Sequence, residues 1–157
     1  DYKVTYMNKK LYDTTYYRGE GFGAIRLSLF NQSNMWFILP DEGKTTSDVL
    51  NNGEYMQLFT DDWENQREAR VNLSIPKFDI SSTIDLSDGI SAVPQITEQS
   101  LRVKIDEIGV EGAAYTVHYK GVTPPADEVV DFILDRPFIF VIENSNLPIF
   151  AGCVNNP

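Results

Sequence analysis

The residue types that carry most enzyme chemistry are nearly absent from this chain. His118 is the only histidine and Cys153 the only cysteine. A nucleophile needs a base beside it and the base needs an orienting group. No Gly-x-Ser-x-Gly turn accompanies His118, so the histidine reads as an exposed loop residue and no catalytic residue is assigned. One histidine and one cysteine cannot furnish a zinc set, nor one cysteine an intrachain disulfide, so neither metal nor cofactor is expected. Cys153 stands beside Gly152 in a dense apolar run, the setting of a buried, inert thiol. The triplets Asn31-Gln32-Ser33 and Asn72-Leu73-Ser74 fit the N-glycosylation pattern, but the second falls within a strand pattern and neither supports a claim. Tyr6, Tyr12, Tyr16 and Tyr17 could form a binding surface, although aromatic residues on paired strands more often pack a sheet face.

The stretch Val103 to Val117, VKIDEIGVEGAAYTV, calls for mechanical rather than acid–base chemistry. Val103, Ile105 and Ile108 are strand formers and Asp106 and Glu107 are polar. Gly109, Gly112, Ala113 and Ala114 then remove nearly all side-chain bulk. A run of small residues packs poorly but fits where space is tight. It suits either an edge strand followed by a flexible loop or a hinge able to enter between other strands.

The elements around it are mostly strands. Two short ones are expected at Tyr2–Met7 and Leu11–Tyr17, then a glycine-rich turn at Gly19, Gly21 and Gly23. Ala24–Phe30 alternates strictly, which predicts one wet face, whereas the continuous apolar run Met35–Leu39 predicts a strand covered on both faces and stopped by Pro40. Thr45 or Thr46 can cap a short helix through Leu50, with Asp48 in its first turn, and a second helix is expected at Glu54–Thr60. Ala69, Val71 and Leu73 mark a strand from Arg67, which Pro76 separates from another at Phe78–Ile80. One helical turn is expected at Asp85–Ser91, kept short by Gly89 and Pro94. His118–Val130, with Gly121, Pro124 and Pro125, reads as a long exposed loop. Phe132–Leu134, Phe138–Ile142 and Leu147–Val154 are dense apolar runs, two of them core strands joined at Asn144-Ser145-Asn146.

The 157 residues are one domain's worth, long enough to bury roughly 70% of the surface of the unfolded chain. With 42% hydrophobic and 23% charged residues the chain is globular rather than disordered. A net charge of −10 argues against nucleic acid or an anionic membrane as partner. No apolar run approaches the roughly 18 residues of a membrane span. The start at Asp1, without an initiator methionine, reads as processed or cut. The residues by themselves predict a mostly β domain with a few short helices.

Four segments together resemble the serpin family of protease inhibitors. Phe132-Ile-Leu-Asp-Arg-Pro-Phe-Ile-Phe-Val-Ile142 looks like the family's signature strand, with Asp135, Arg136, Pro137 and Phe138 at its centre. Ile149-Phe-Ala-Gly-Cys-Val-Asn-Asn-Pro157 resembles its closing strand, and Phe37-Ile-Leu-Pro-Asp-Glu-Gly-Lys44 the strand end before its small helices. Residues 103–117 are similar to the hinge strand that leads into the serpin reactive-centre loop.

The resemblance implies the later, C-terminal half of a serpin: sheet B and C strands, part of sheet A and the loop, without the N-terminal helical part. The whole of 1–157 forms one such region, with the loop at 109–131 and core strands at 132–157. It places the hinge at Glu107, Gly109, Val110, Gly112, Ala113 and Ala114. In inhibitory serpins, as the resemblance implies, a serine protease cuts the loop, becomes acyl-linked to it, and is dragged across and distorted as the loop inserts into sheet A. Each inserted residue must offset about 1 to 2 kcal/mol of backbone entropy through sheet hydrogen bonds and burial.

The bait bond is expected within Lys120, Gly121, Val122, Thr123, Pro124, Pro125 and Ala126. Counting from the hinge points near Thr123 and counting back from Pro137 near Ala126, and Pro124 directly after Thr123 disfavours a cut there. Val122, Thr123 and Ala126 suit an elastase-like or subtilisin-like target, and Lys120 a trypsin-like one. The link between Leu86 and Val103 is shorter than serpins have. Alone, the chain should not perform the trap, since the sheet that accepts the loop is only half present and the missing N-terminal half would be a partner. The resemblance also implies a place outside the cell or at its surface. The alternative is a non-inhibitory, truncated serpin-like β module that binds a protein partner through its loop or sheet edges.

Overall fold

The structure is a computed structural model that describes residues 4–29, 32–60, 66–85, 98–106, 109–110 and 128–157. Its strands are β1 (Tyr6–Gly19), β2 (Phe22–Ser28), β3 (Ser33–Pro40), β4 (Gln66–Pro76), β5 (Phe78–Asp85), β6 (Glu98–Asp106), β7 (Gly109–Val110), β8 (Val129–Ile133), β9 (Phe138–Asn144) and β10 (Leu147–Val154). Between β3 and β4 come the helix α1 (Thr46–Asn52) and a 3-10 turn, Glu54–Phe59. One sheet runs β10-β9-β3-β2-β1-β4-β8 and a smaller one β5-β6-β7. The mostly β expectation holds.

The large sheet has to curl. β9 and β8 lie five strand spacings apart in its order, about 24 Å if it were flat. Ile133 and Phe138 are nevertheless joined by residues 134–137 alone, a link that reaches at most about 18 Å. Strand twist supplies the curvature. The inner face gathers Leu11, Ile25, Phe37, Val71, Phe132, Phe138, Phe140 and Val154, drawn from every strand of the sheet, into one buried cluster. Phe78 at the start of β5 packs on it, with ring centroids 5.9 Å from Phe138 and 5.5 Å from Phe140.

The outer face is covered in part. Tyr17, Phe22, Ala24, Trp36, Ile38, Ile139 and Val141 form a second cluster beneath Val49 of α1 and Leu58 of the 3-10 turn. Met35–Leu39 is therefore buried on both faces, as its continuous apolar run predicts. The wet face expected for Ala24–Phe30 is confined to the end of β2. Phe22, Gly23, Ala24 and Ile25 are all buried, and Arg26 and Ser28 alone are exposed, because the helical layer covers the side of the strand on which Ala24 lies.

The two opening strands are one. β1 pairs along β4 from Tyr6 to Tyr17, with an extra residue between Leu11 and Thr14. The bulge shifts the phase, so Leu11 and Tyr16 share the inner face although four residues lie between them, a spacing that puts side chains on opposite faces of a regular strand. Tyr16 and Tyr17 are core residues, while Tyr12 on the bulge is 62% exposed.

Thr45 is the N-cap of α1. Its hydroxyl accepts from Asp48 N at 3.1 Å and its own N–H donates to the Asp48 carboxylate at 2.8 Å, a reciprocal capping box. Gly53 ends the helix at φ 75°, a conformation glycine adopts without strain. The second helix is the 3-10 turn. Asp85 ends β5 rather than opening a helical turn, and the rest of that turn lies outside the described residues. Ser145 (φ 52°) and Asn146 (φ 64°) make the β9–β10 turn, where asparagine tolerates the left-handed region.

Candidate functional site

The two ends of the expected loop come from different sheets. Towards the N-terminal end, β6 pairs antiparallel with β5 along all but its last residue, from Glu98↔Asp85 to Ile105↔Phe78. On its other edge it pairs with β7 only through Ile105↔Val110 and Asp106↔Gly109. Of the expected hinge strand over 103–117, the residues Val103–Asp106 lie in β6 and Gly109–Val110 in β7, and the others lie outside the described residues. β7 supplies backbone partners to the end of β6 on the edge that β5 does not use.

Of the expected hinge residues, Gly109 and Val110 lie in β7, while Glu107, Gly112, Ala113 and Ala114 lie outside the described residues. So do all seven residues from Lys120 to Ala126, and His118. Val129–Asp131, within the loop range 109–131, are already paired in β8.

At the C-terminal end β8 is the edge strand, parallel to β4. Arg70 N donates to the Glu128 carbonyl at 2.8 Å, and Asn72 Nδ2 to Asp131 Oδ1 at 2.7 Å. Arg67 and Glu128 form an ion pair at 2.9 Å with side chains 46% and 42% exposed, a pair worth about 1 kcal/mol at most. Phe132 is the buried anchor, edge-on to Tyr16 at 6.4 Å.

The segment 134–137 then crosses from β8 to β9. Leu134 N donates to the Ser74 carbonyl at 2.9 Å. Arg136 Nε donates to the Pro40 carbonyl at 2.9 Å, and its Nη1 to Asp135 Oδ1 at 3.0 Å. Pro137 precedes Phe138, the fully buried first residue of β9. Asp135, Arg136, Pro137 and Phe138 are thus brought together as the strap that closes the curled sheet. Sequence reasoning picked out these four but not their partners, since a backbone carbonyl such as that of Pro40 leaves no mark in residue identity.

Cys153 is exposed, which corrects the expectation of a buried thiol. It alternates with Gly152 and Val154 on β10, and it is Val154, with Phe150 on the same face, that packs on the core. Partial desolvation still pushes the thiol above its ordinary pKa, away from nucleophilic character. Asn72 lies mid-strand with its amide engaged by Asp131. An open cavity of about 550 Å³ is lined by Arg18, Gly19, Glu20, Glu54, Gln66 and Arg67. Its arginines are already paired, Arg18 with Asp41 and Arg67 with Glu128. Among the described residues no group of histidine, cysteine and carboxylate side chains could hold a metal, and no helix is long and apolar enough to cross a membrane.

The family model described as "Serpin (serine protease inhibitor)" matches residues 1–95 and 92–157. The chain belongs to the serpin family. The two matched stretches meet at 92–95, inside the short link expected between Leu86 and Val103. Alpha-1-antiproteinase of Ovis aries is 30% identical over 184 residues, covering 99% of this chain and 42% of the relative. The protein of that name from Bos taurus is 31% identical with the same coverage. An alpha-1-antitrypsin-like protein of Tamias sibiricus is 29% identical, covering 85% of this chain and 37% of that one.

Among solved structures, the thermophilic serpin tengpin in its native state matches with a TM-score of 0.72 at 24% identity, over 99% of this chain and 47% of that one. A serpin from the trematode Schistosoma haematobium matches at 0.69 and 24%, over 98% and 47%. These likenesses establish the fold. The chain spans about two fifths of the length of the curated relatives and just under half of the solved serpins.

Proposed function

We propose that the protein to which this serpin chain belongs inhibits a serine protease as a suicide substrate. The bait lies at Lys120–Ala126 and the insertable hinge at Glu107, Gly109, Val110, Gly112, Ala113 and Ala114. In the covalent step the protease's serine oxygen bonds to the carbonyl carbon of the bait residue, the peptide bond to the next residue breaks, and the new amine takes up the proton. The ester so formed tethers the protease while the hinge side of the loop moves into the sheet. Small bait residues favour an elastase-like or subtilisin-like target, and Lys120 would serve a trypsin-like one. Action outside the cell or at its surface belongs to the same reading.

One observation supports it: two of the hinge residues, Gly109 and Val110, pair antiparallel with the end of β6 through Asp106↔Gly109 and Ile105↔Val110, on the edge that β5 does not use. An inserted strand there would gain ladder hydrogen bonds along its length. The chain spans only part of its relatives, so a full slot requires the rest of the serpin fold, the N-terminal half being the partner of this one.

A second reading, a non-inhibitory β module that binds a protein partner, draws on the two edge strands of the large sheet. Val129 and Ile133 on β8, and Leu147 and Ile149 on β10, are large apolar residues left exposed. Incubating the protein in its full length with elastase, trypsin and subtilisin separates the two on a denaturing gel. A band that survives denaturation at the summed mass supports inhibition. Cleavage of the loop with no such band and no slow loss of protease activity sinks it in favour of the binding module.

A further inference from the structure

We propose that Arg136 is a positioning residue for the reactive loop: by holding the Pro40 carbonyl it sets where β8, the stem into which the loop runs, stands and how firmly. The proposal rests on the reading of residues 109–131 as the bait loop.

β8 has few holds of its own. It is a five-residue edge strand in parallel pairing, a geometry slightly weaker per residue than antiparallel. Val129 and Ile133 are 56% and 42% exposed, and Phe132 is its buried anchor. The polar ties of β8 to Arg67 and Asn72 are exposed to solvent. What fixes the strand from beyond its own end is the strap. On one side of the seam between β8 and β9, Leu134 N is held by Ser74 of β4. On the other side, Arg136 Nε is held by Pro40, the buried last residue of β3. Asp135 accepts from Nη1 and keeps the guanidinium plane turned towards that carbonyl. Without the Arg136 bond the strap keeps its β4 hold and loses the one on β3, so β8 can swing with the loop attached.

The consequence falls on one step. Once the bait bond is cut, β8 belongs to the piece that does not insert, so the stem governs presentation of the uncut loop and not the insertion that follows. Arg136→Met, which keeps the aliphatic length but donates nothing, should slow protease association about tenfold, the factor for losing one hydrogen bond from a charged donor. The number of inhibitor molecules used per protease inactivated should stay at the wild-type value. Amide exchange at Val129–Ile133 should speed up by about the same factor, with β3, β9 and β10 unchanged. Should this variant not fold, Asp135→Ala keeps the Nε donor, frees the guanidinium, and should speed β8 exchange at least about twofold.

A purely structural role predicts something else: faster exchange in every strand together, a lower Tm, and more inhibitor consumed per protease. That pattern, or β8 exchange unchanged in a folded variant, overturns the proposal. The exchange measurement needs no protease, so it decides the role of Arg136 even if the wild type forms no covalent complex and the inhibitor reading falls.

Discussion

Glu143, only 1% exposed, accepts a 2.6 Å hydrogen bond from Asn34 Nδ2, 109 residues away in the chain. Its other oxygen accepts from Asn146 N at 2.9 Å. One carboxylate therefore ties the β9–β10 turn to the start of β3, where Asn34 and Glu143 are direct cross-strand partners. Glu143→Ala leaves both donors without their acceptor and should cost about 2 to 4 kcal/mol. Glu143→Gln keeps one acceptor and should cost less than half of that. Urea midpoints at constant m-value give the comparison, and an alanine variant as stable as wild type would show that water replaces the carboxylate at no cost.

Gly152 lies directly opposite Phe140 in the β9–β10 pair. A Cβ at 152 would come within 2.6 Å of the ring's Cζ. Phe140 is fully buried and stacked on Phe150 at 5.6 Å, so the ring has little room to yield. Gly152→Ala should destabilise by about 1 to 3 kcal/mol as overpacking. Gly152→Ala combined with Phe140→Leu should lose less than the sum of the two single changes in a double-mutant cycle.

The helix α1 should respond to pH through Asp48. The Thr45 backbone N–H, with help from the Thr45 hydroxyl, holds the Asp48 carboxyl below its ordinary value. A depressed folded-state value means that the stabilisation is complete above the unfolded aspartate pKa, about 3.9, and is lost as pH falls through the lower folded value. Protection of the α1 amides, taken relative to the intrinsic exchange rate at each pH, should therefore fall on acidification below about pH 4, the unfolded aspartate range, and Asp48→Asn should flatten that dependence. At neutral pH, Thr45→Ala should cost about 1 kcal/mol as a lost N-cap.

Cys153 offers a contrast between access and reactivity. The residue is exposed, yet desolvation raises its pKa, so less thiolate is present at neutral pH than on a free cysteine. Iodoacetamide should label the folded protein several-fold more slowly than the urea-unfolded chain, the gap closing as pH rises. Equal rates in both states, followed by mass, would contradict the raised value.

The hinge reading can be tried at Ala113. A charged, bulky side chain would have to be desolvated between strands for the loop to enter, at a cost of several kcal/mol. Ala113→Glu in the full-length protein should convert covalent complex into cleaved, released loop while leaving Tm unchanged. An undiminished complex band would place the insertion elsewhere.

Periodicity and turn residues were sufficient for most of the strands, because alternation, Pro40, Pro76 and the Asn144-Ser145-Asn146 turn act locally. The continuous run Met35–Leu39 announced a strand buried on both faces, and Thr45 with Asp48 announced the helix cap. Local rules failed where the outcome depends on what lies opposite. The bulge between Leu11 and Thr14 reverses the phase of β1 without any glycine to signal it. The layer of α1 and the 3-10 turn dries half of β2, and the position of β10 at the sheet edge exposes Cys153.

The same division runs through the site. The residues alone determined that histidine and cysteine occur once each and that no Gly-x-Ser-x-Gly turn is present. They also determined that a small-residue run follows a strand near 103–117, and that Asp135-Arg136-Pro137-Phe138 carries the serpin resemblance. Only the tertiary structure decided what that signature does. Residue identity says that Arg136 can donate, whereas the curl of the sheet brings the Pro40 carbonyl, 96 residues away, to within 2.9 Å of its Nε. Which acceptor a donor meets depends on chain closure, and chain closure is a property of the whole sheet.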